Sequence, residues 1–312
     1  MRKFILFIYC ITIPALTYSQ VQNYTPKVKF AIETYAFLKG QSTALEMVAL
    51  QFPKLKPDVT AVAKKTVLFE RAQRNIENFL KDELSDSDFN VIENRINFLL
   101  KEQFKNPIEE EKYARDFLEK VKERSHFRGD TLLAKGIISF AYQDAPHQEI
   151  TDGHVETYTT KGNPKAEQET VKIPVPKSWL AEEAEMPETV QQFTSHFGNG
   201  NEKMLLVIYD LPEENFILNA KSITEMIPPQ TKLIRTEILK IDENPAIMVE
   251  VEETVNQDKT KIRMLQFMFT QKQKLYCLQG SIGPVEIKKN LEPEIKKYEP
   301  LFRLIAEGTQ ID

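Results

Sequence analysis

Two hydrophobic rhythms divide the chain. From Pro26 to about Arg128 apolar residues recur every three or four positions, the spacing of one helix face. "TPKVKFAIETYAFLKG" puts Val28, Ile32, Tyr35 and Leu38 on one side, with Gly40 as a stop and "STALEMVALQF" as a second short helix. A long helix is expected from Pro57, striped by Val62, Phe69, Ala72, Ile76 and Phe79. "SDSD" breaks it and caps the next helix, whose stripe is Ile92, Ile96, Leu99 and Phe104. "NPIEEEKYARDFLEKVKER" starts another: Asn106 caps, Pro107 opens the first turn, acids lie at the positive end and bases at the negative end. Tyr113, Phe117 and Val121 are its buried face. Isolated helices of this length are marginal in water, so residues 20–128 are expected to pack as an all-helical domain.

Near residue 170 the period changes to two. Val171–Val175 is a short strand crowded by Pro174 and Pro176. "EKMLLVIYDL" is apolar on both faces and reads as a central strand. "SITE" at 222–225 is a capping box for a short helix. "TKLIRTEILKI", "AIMVEVEETV", "KIRMLQFMFT" and "KLYCLQGSIG" follow, joined by turns at "DENP", "NQDK" and "QKQ", the mark of an antiparallel meander. Ile247, Val249, Val251 and Val255 share one side, Glu250, Glu252 and Thr254 the other, and Leu265, Phe267 and Phe269 point inward. "LEPEIKKYEPLFRLIAEG" closes the chain as a helix that buries Leu301, Leu304 and Ile305 and stops at Gly308. Between the rhythms, "GDTLLAKGIISFAYQD" suits one more helix or strand. The polar run "APHQEITDGHVETYTTKGNPKAEQET" makes residues 129–169 an exposed linker between the two domains.

The first residues follow neither rhythm. Arg2 and Lys3 precede an apolar run from Phe4 to Leu16. Thr17 and Ser19 then set up cleavage after Ser19, the order of a secretory signal peptide over residues 1–19. Thirteen helical residues span about 20 Å, short of the roughly 30 Å hydrocarbon core. Cys10 lies mid-run behind Tyr9, unlike a lipoprotein site. No later stretch approaches a spanning length, so no transmembrane segment is expected after cleavage, and the location is periplasmic or extracellular.

Composition narrows the function. Cleavage removes Arg2 and Lys3 and no acid, taking the net charge from −5 to about −7. An acidic surface is a poor match for phosphates, so no nucleic-acid partner is expected. Only Cys277 then remains, so the fold relies on packing without an internal disulfide, and "KLYCLQG" reads as a buried strand. No G-x-S-x-G, S-x-x-K, H-E-x-x-H, C-x-x-C or Gly-rich phosphate loop occurs, and no cofactor or catalytic residue is assigned. In the linker, Asp144, His147, Glu149, Asp152, His154 and Glu156 carry metal-binding donors. His147, His154 and Glu149 are the metal candidates, against the alternative of a solvated loop. Asp152, His154 and Glu156 alternate and would share one side of a strand. His126 and His196 are isolated and read as structural or exposed. Trp179, the one tryptophan, follows the proline-broken strand and reads as a structural cap on the sheet or as a binding residue.

"VKIPVPKSW", "NEKMLLVIYDL", "DENPAIMVEVEE" before "RMLQFMF", "KLYCLQGSIG" and "YEPLFRLIAEG" together resemble the PsbP-like or DcrB-like α/β sandwich family over about residues 168–308. The resemblance implies an antiparallel-sheet sandwich after the helical bundle. It also implies an exported accessory or binding protein of the cell envelope with a protein partner and no common catalytic constellation. The alternatives are a periplasmic carrier of a small apolar or metal ligand and a carboxylate-dependent hydrolase.

Overall fold

The computed structural model describes residues 24–127, 131–184, 186–211, 216, 218–255 and 259–312. The signal peptide and its cleavage point lie outside the described residues. The chain forms two compact units, Met1–Gln143 and Asp144–Asp312.

The first unit is helical. α1 (Pro26–Gln51) starts on Thr25, whose hydroxyl accepts the Val28 N–H. It is buried on nearly every side and runs as one helix through Gly40, where the sequence suggested a stop. A helical glycine costs about 1 kcal/mol against alanine, a small penalty beside the burial of Ile32, Tyr35 and Val48. The expected long helix is two, α2 (Lys56–Lys65) and α3 (Val67–Glu83). Thr66 divides them: its N–H reaches both Val62 O and Ala63 O, and its hydroxyl donates to Ala63 O. α3 buries Phe69, Ala72, Ile76 and Leu80. α4 (Asp86–Gln103) is capped by Ser85 as expected and buries Phe89, Ile92, Ile96 and Leu100. α5 (Glu111–Arg124) begins later than the Asn-Pro signal implied, because Gln51 Oε1 takes the Ile108 N–H and holds that segment out of the helix. Ala114, not Tyr113, completes its buried face.

α6 (Leu132–Ala141) belongs to the same unit. Its Phe140 packs tilted against Phe30 and Phe79, and its carbonyl accepts from Asn75 at 2.8 Å. The segment expected as linker is therefore structured on both sides of the boundary. The second unit opens with α7 (His147–Thr151) and β1 (Val155–Thr159). β1 hid from the hydrophobic pattern because it is an edge strand with mostly exposed, polar side chains.

The second unit is an antiparallel α/β sandwich; the period-two pattern implied its antiparallel strands and the resemblance its sandwich form. A three-stranded sheet runs β1–β2–β10, with β2 at Val171–Pro176 and β10 at Gln310–Ile311. A seven-stranded sheet runs β3–β4–β5–β9–β8–β7–β6. Its members are β3 (Leu180–Glu182), β4 (Thr189–Thr194), β5 (Glu202–Asp210), β6 (Lys232–Ile241), β7 (Asn244–Val255), β8 (Thr260–Gln271) and β9 (Lys274–Glu286). β5 buries residues on both faces, Met204 and Leu206 against Val207, as its unbroken apolar run required. One core joins β2 and the large sheet to Tyr298, Leu301, Phe302 and Ile305 of α10 (Glu292–Glu307). The opposite sheet face buries Val249, Val251 and Cys277 with Ile223 of α9 (Ala220–Met226). At that helix start Asn219, not Ser222, is the cap: Asn219 Oδ1 accepts Ser222 N–H and Ser222 Oγ accepts Asn219 N–H. The box sits three residues earlier than read.

Candidate functional site

Trp179 is buried and meets the Phe302 ring edge-on at 6.4 Å. Pro174 and Pro176 pair with β1, at Thr157 and Val155, while β10 pairs only with Val171 and Lys172. Prolines lack an N–H, so β2 extends past Lys172 without a ladder on the β10 side. The chain then turns at Lys177, whose N–H bonds His154 O, and delivers Ser178 and Trp179 into the interior.

Around that turn lies a buried polar cluster. The Glu149 carboxylate accepts both the N–H and the hydroxyl of Ser178, each at 2.7 Å. Ser178 O in turn accepts the Phe197 N–H at 2.8 Å. Phe197 belongs to α8 (Ser195–Gly198), one turn of left-handed backbone with φ of 49° at His196 and 52° at Phe197. Such geometry costs a non-glycine residue about 1–2 kcal/mol, so its surroundings must hold it. Ser195 donates to the Glu202 carboxylate at 2.5 Å, and His196 Nδ1 stands 3.3 Å from the same hydroxyl. A Cβ on Gly200 would lie 1.8 Å from Ser195 Oγ, so only glycine closes this turn. From α10, Tyr298 also bonds Glu202. Burial first, then the charges of Glu202, Glu294 and Glu149, pushes its phenol well above the ordinary range.

Serine, histidine and carboxylate suggest a hydrolytic triad, but the geometry differs. The serine proton goes to the carboxylate, the imidazole offers Nδ1 rather than bridging the two, and Ser195, His196 and Glu202 are all buried. Nucleophilic catalysis needs a base within reach of an accessible hydroxyl. The arrangement ties α7, the Ser178 turn, α8 and α10 together. "TSHFGNGNE" carried a signal for it, two glycines, one on either side of Asn199, among polar residues, and His196 alone did not reveal it.

The linker donors are not gathered into a metal site. Glu149 is turned to Ser178. His147 is half-buried, with Nδ1 lacking a hydrogen-bond partner among the described residues. Burial, then Lys177, lowers His154 below the usual histidine range. Asp152 is the C-cap of α7 and not a strand residue, so the alternation with His154 and Glu156 is lost. Among the described residues no three of His, Cys, Asp and Glu stand together to hold a metal ion. Cys277 is buried as expected, and desolvation pushes its thiol up to about 12.

Among the described residues, two surface features bear on binding. In the helical unit, α2 and α5 flank a groove of about 370 Å³ with Val62 and Leu118 at its floor. Its rim is taken up by ion pairs, Arg115 with Glu111 and Asp58, and Lys122 with Glu119. In the sandwich, β6 ends the seven-stranded order, so alternate N–H and C=O groups along its outer side have no strand neighbour among the described residues. Ile238 on this edge is 84% exposed and Leu233 40%. The opposite strand β3 is only three residues long.

The sequence matches no protein-family model and no curated protein. Among solved structures it is similar to LpqN of Mycobacterium tuberculosis, described as involved in cell envelope biogenesis. Identity is 12%, the match covers 54% of this chain and 96% of that one, and the TM-score is 0.33. At that distance the likeness assigns no residue and no activity.

Proposed function

We propose that this is an exported, non-enzymatic protein of the cell envelope, whose PsbP-like or DcrB-like sandwich docks a protein partner. The observation that carries the reading is the β6 edge, which has no further strand neighbour among the described residues, with Ile238 at 84% exposure. Burying such a side chain contributes about 1.5–3 kcal/mol, and an open strand edge offers a ready hydrogen-bonding ladder. The signal-like pattern of residues 1–19 supports export, and no helix among the described residues is long and apolar enough to cross a membrane. The internally bonded, buried Ser195–Glu202 pair favours binding over hydrolysis.

Crosslinked pull-down from the native envelope fraction tests this, with the wild-type chain beside Ile238→Glu. A specific partner is expected with the wild type and should be lost or much reduced with the variant. Empty captures, or one set of proteins recovered equally by both, would refute the reading. Turnover in a screen of glycosides and esters would overturn its non-enzymatic part.

A further inference from the structure

We infer that the β6 edge takes up an extended, acidic segment of its partner by strand addition. This rests on the docking role proposed above and specifies its chemistry.

The charges of β6 fall into two sets. Arg235 is bonded to Glu250 and Glu299, each at 2.5 Å, and Glu237 is bonded to Arg303. These groups are committed to the sheet and to α10. Lys232 and Lys240, at the two ends of the strand, are exposed and form no ion pair with another described residue. Glu252, across from Lys232, is already engaged by Lys261 and Arg263. At the other end Asp242 is turned to the Ile311 N–H, leaving Glu243 as the exposed acid of that turn. The uncommitted charge along the strand itself is therefore positive, and it brackets Leu233 and Ile238.

Two antiparallel registers of this edge oppose like charges of a second copy. Antiparallel self-pairing centred on Glu237 sets like carboxylates opposite each other. Moving the axis to Thr236 brings the Lys232 end of one copy to the Lys240 end of the other. Like charges directly opposed across strands are destabilising, and terminal lysines are a common guard against self-association of an edge. The same lysines attract an acidic strand, so one feature both repels copies and selects a partner. The matching segment is extended, apolar opposite Leu233 and Ile238, and acidic opposite Lys232 and Lys240.

The test uses the purified protein and two fluorescein-labelled decapeptides of alternating valine and threonine. One carries glutamates at the positions facing Lys232 and Lys240, the other lysines there. The acidic peptide should bind at least about tenfold tighter than the basic one, weaken as salt rises, and slow amide exchange across residues 232–241. The double variant Lys232→Glu/Lys240→Glu should reverse the preference. Both lysines are exposed, so its fold is expected to survive, and circular dichroism checks this. Equal binding of both peptides, no reversal, or no exchange protection on β6 would overturn the inference. If the inference fails while Ile238→Glu still abolishes partner capture, docking at β6 stands and the acidic-strand chemistry is wrong. If capture is also unaffected, the docking reading falls with it.

Discussion

At the residue scale, one carboxylate holds the turn that carries Trp179. Glu149 satisfies two donors of a buried serine, and removing it leaves both without their acceptor. Stranding buried donors costs about 1–3 kcal/mol for each group. Glu149→Ala should therefore lower unfolding free energy by about 2–4 kcal/mol in urea titrations. Emission from Trp179, the one tryptophan, should shift to the red as Ser178 loosens. An unshifted spectrum with full stability would show that the turn is held by other contacts. Tyrosines give a separate prediction. Tyr35, Tyr276 and Tyr298 are all raised above 10.0, first by burial and then by neighbouring carboxylates, Glu93, Glu169 and Glu202 respectively. The folded state then holds protons that the unfolded chain releases, so stability is complete below about pH 10 and declines above it. Ultraviolet titration should show these phenols ionising together with alkaline unfolding, after the exposed tyrosines. Neither effect was legible in advance: Glu149 looked like a linker acid, and nothing in "HQEIT" or "PKSW" says that α7 lies on Ser178.

At the scale of elements, period and turn chemistry were readable and partners were not. The meander strands appear where alternation placed them, and Ile247, Val249 and Val251 do share a face. Glu250 read as a polar outer residue, yet it is buried beneath α10 and bonded by Arg235 and Arg263 at 2.5 Å. Period two says which residues share a side, and says nothing of which side a helix will cover. The resulting chain of charges, Arg263–Glu250–Arg235–Glu299–Arg303, fastens α10 to β6, β7 and β8. Breaking a buried ion pair by deleting one partner costs up to about 3–5 kcal/mol, and exposure reduces this. The Arg263 side chain is 12% exposed and that of Arg235 40%. Chemical denaturation should therefore find Arg263→Ala more destabilising, by about 2–3 kcal/mol against about 1 for Arg235→Ala. The reverse order would mean that the link to Glu299, not burial, governs this cluster.

At the scale of the molecule, the chain divides into its two units between residues 143 and 144. The change of hydrophobic rhythm lies near 170, and the two positions give different expectations for truncated chains. Starting at residue 170 removes Tyr158, whose ring packs at 5.1 Å on Phe193 and whose hydroxyl bonds Gln191. It also removes Thr160, which accepts the Val171 N–H, and Glu149 beneath Ser178. A fragment spanning 144–312 should fold alone, with dispersed amide resonances and a single cooperative melt. The 170–312 fragment should melt lower or aggregate. Equal stability of the two would place the working boundary at 170.

The order of residues by itself determined the all-helical first part, the antiparallel meander, which of its residues share a side and the burial of Cys277. Each follows from local periodicity, which needs no knowledge of what lies across the core. Tertiary structure alone decided that polar β1 and α7 belong to the sandwich, that Glu250 goes inside, and that Tyr298 reaches Glu202. Those outcomes depend on contacts between residues far apart in the chain, where a polar side chain is stable only once its specific donor or acceptor has arrived.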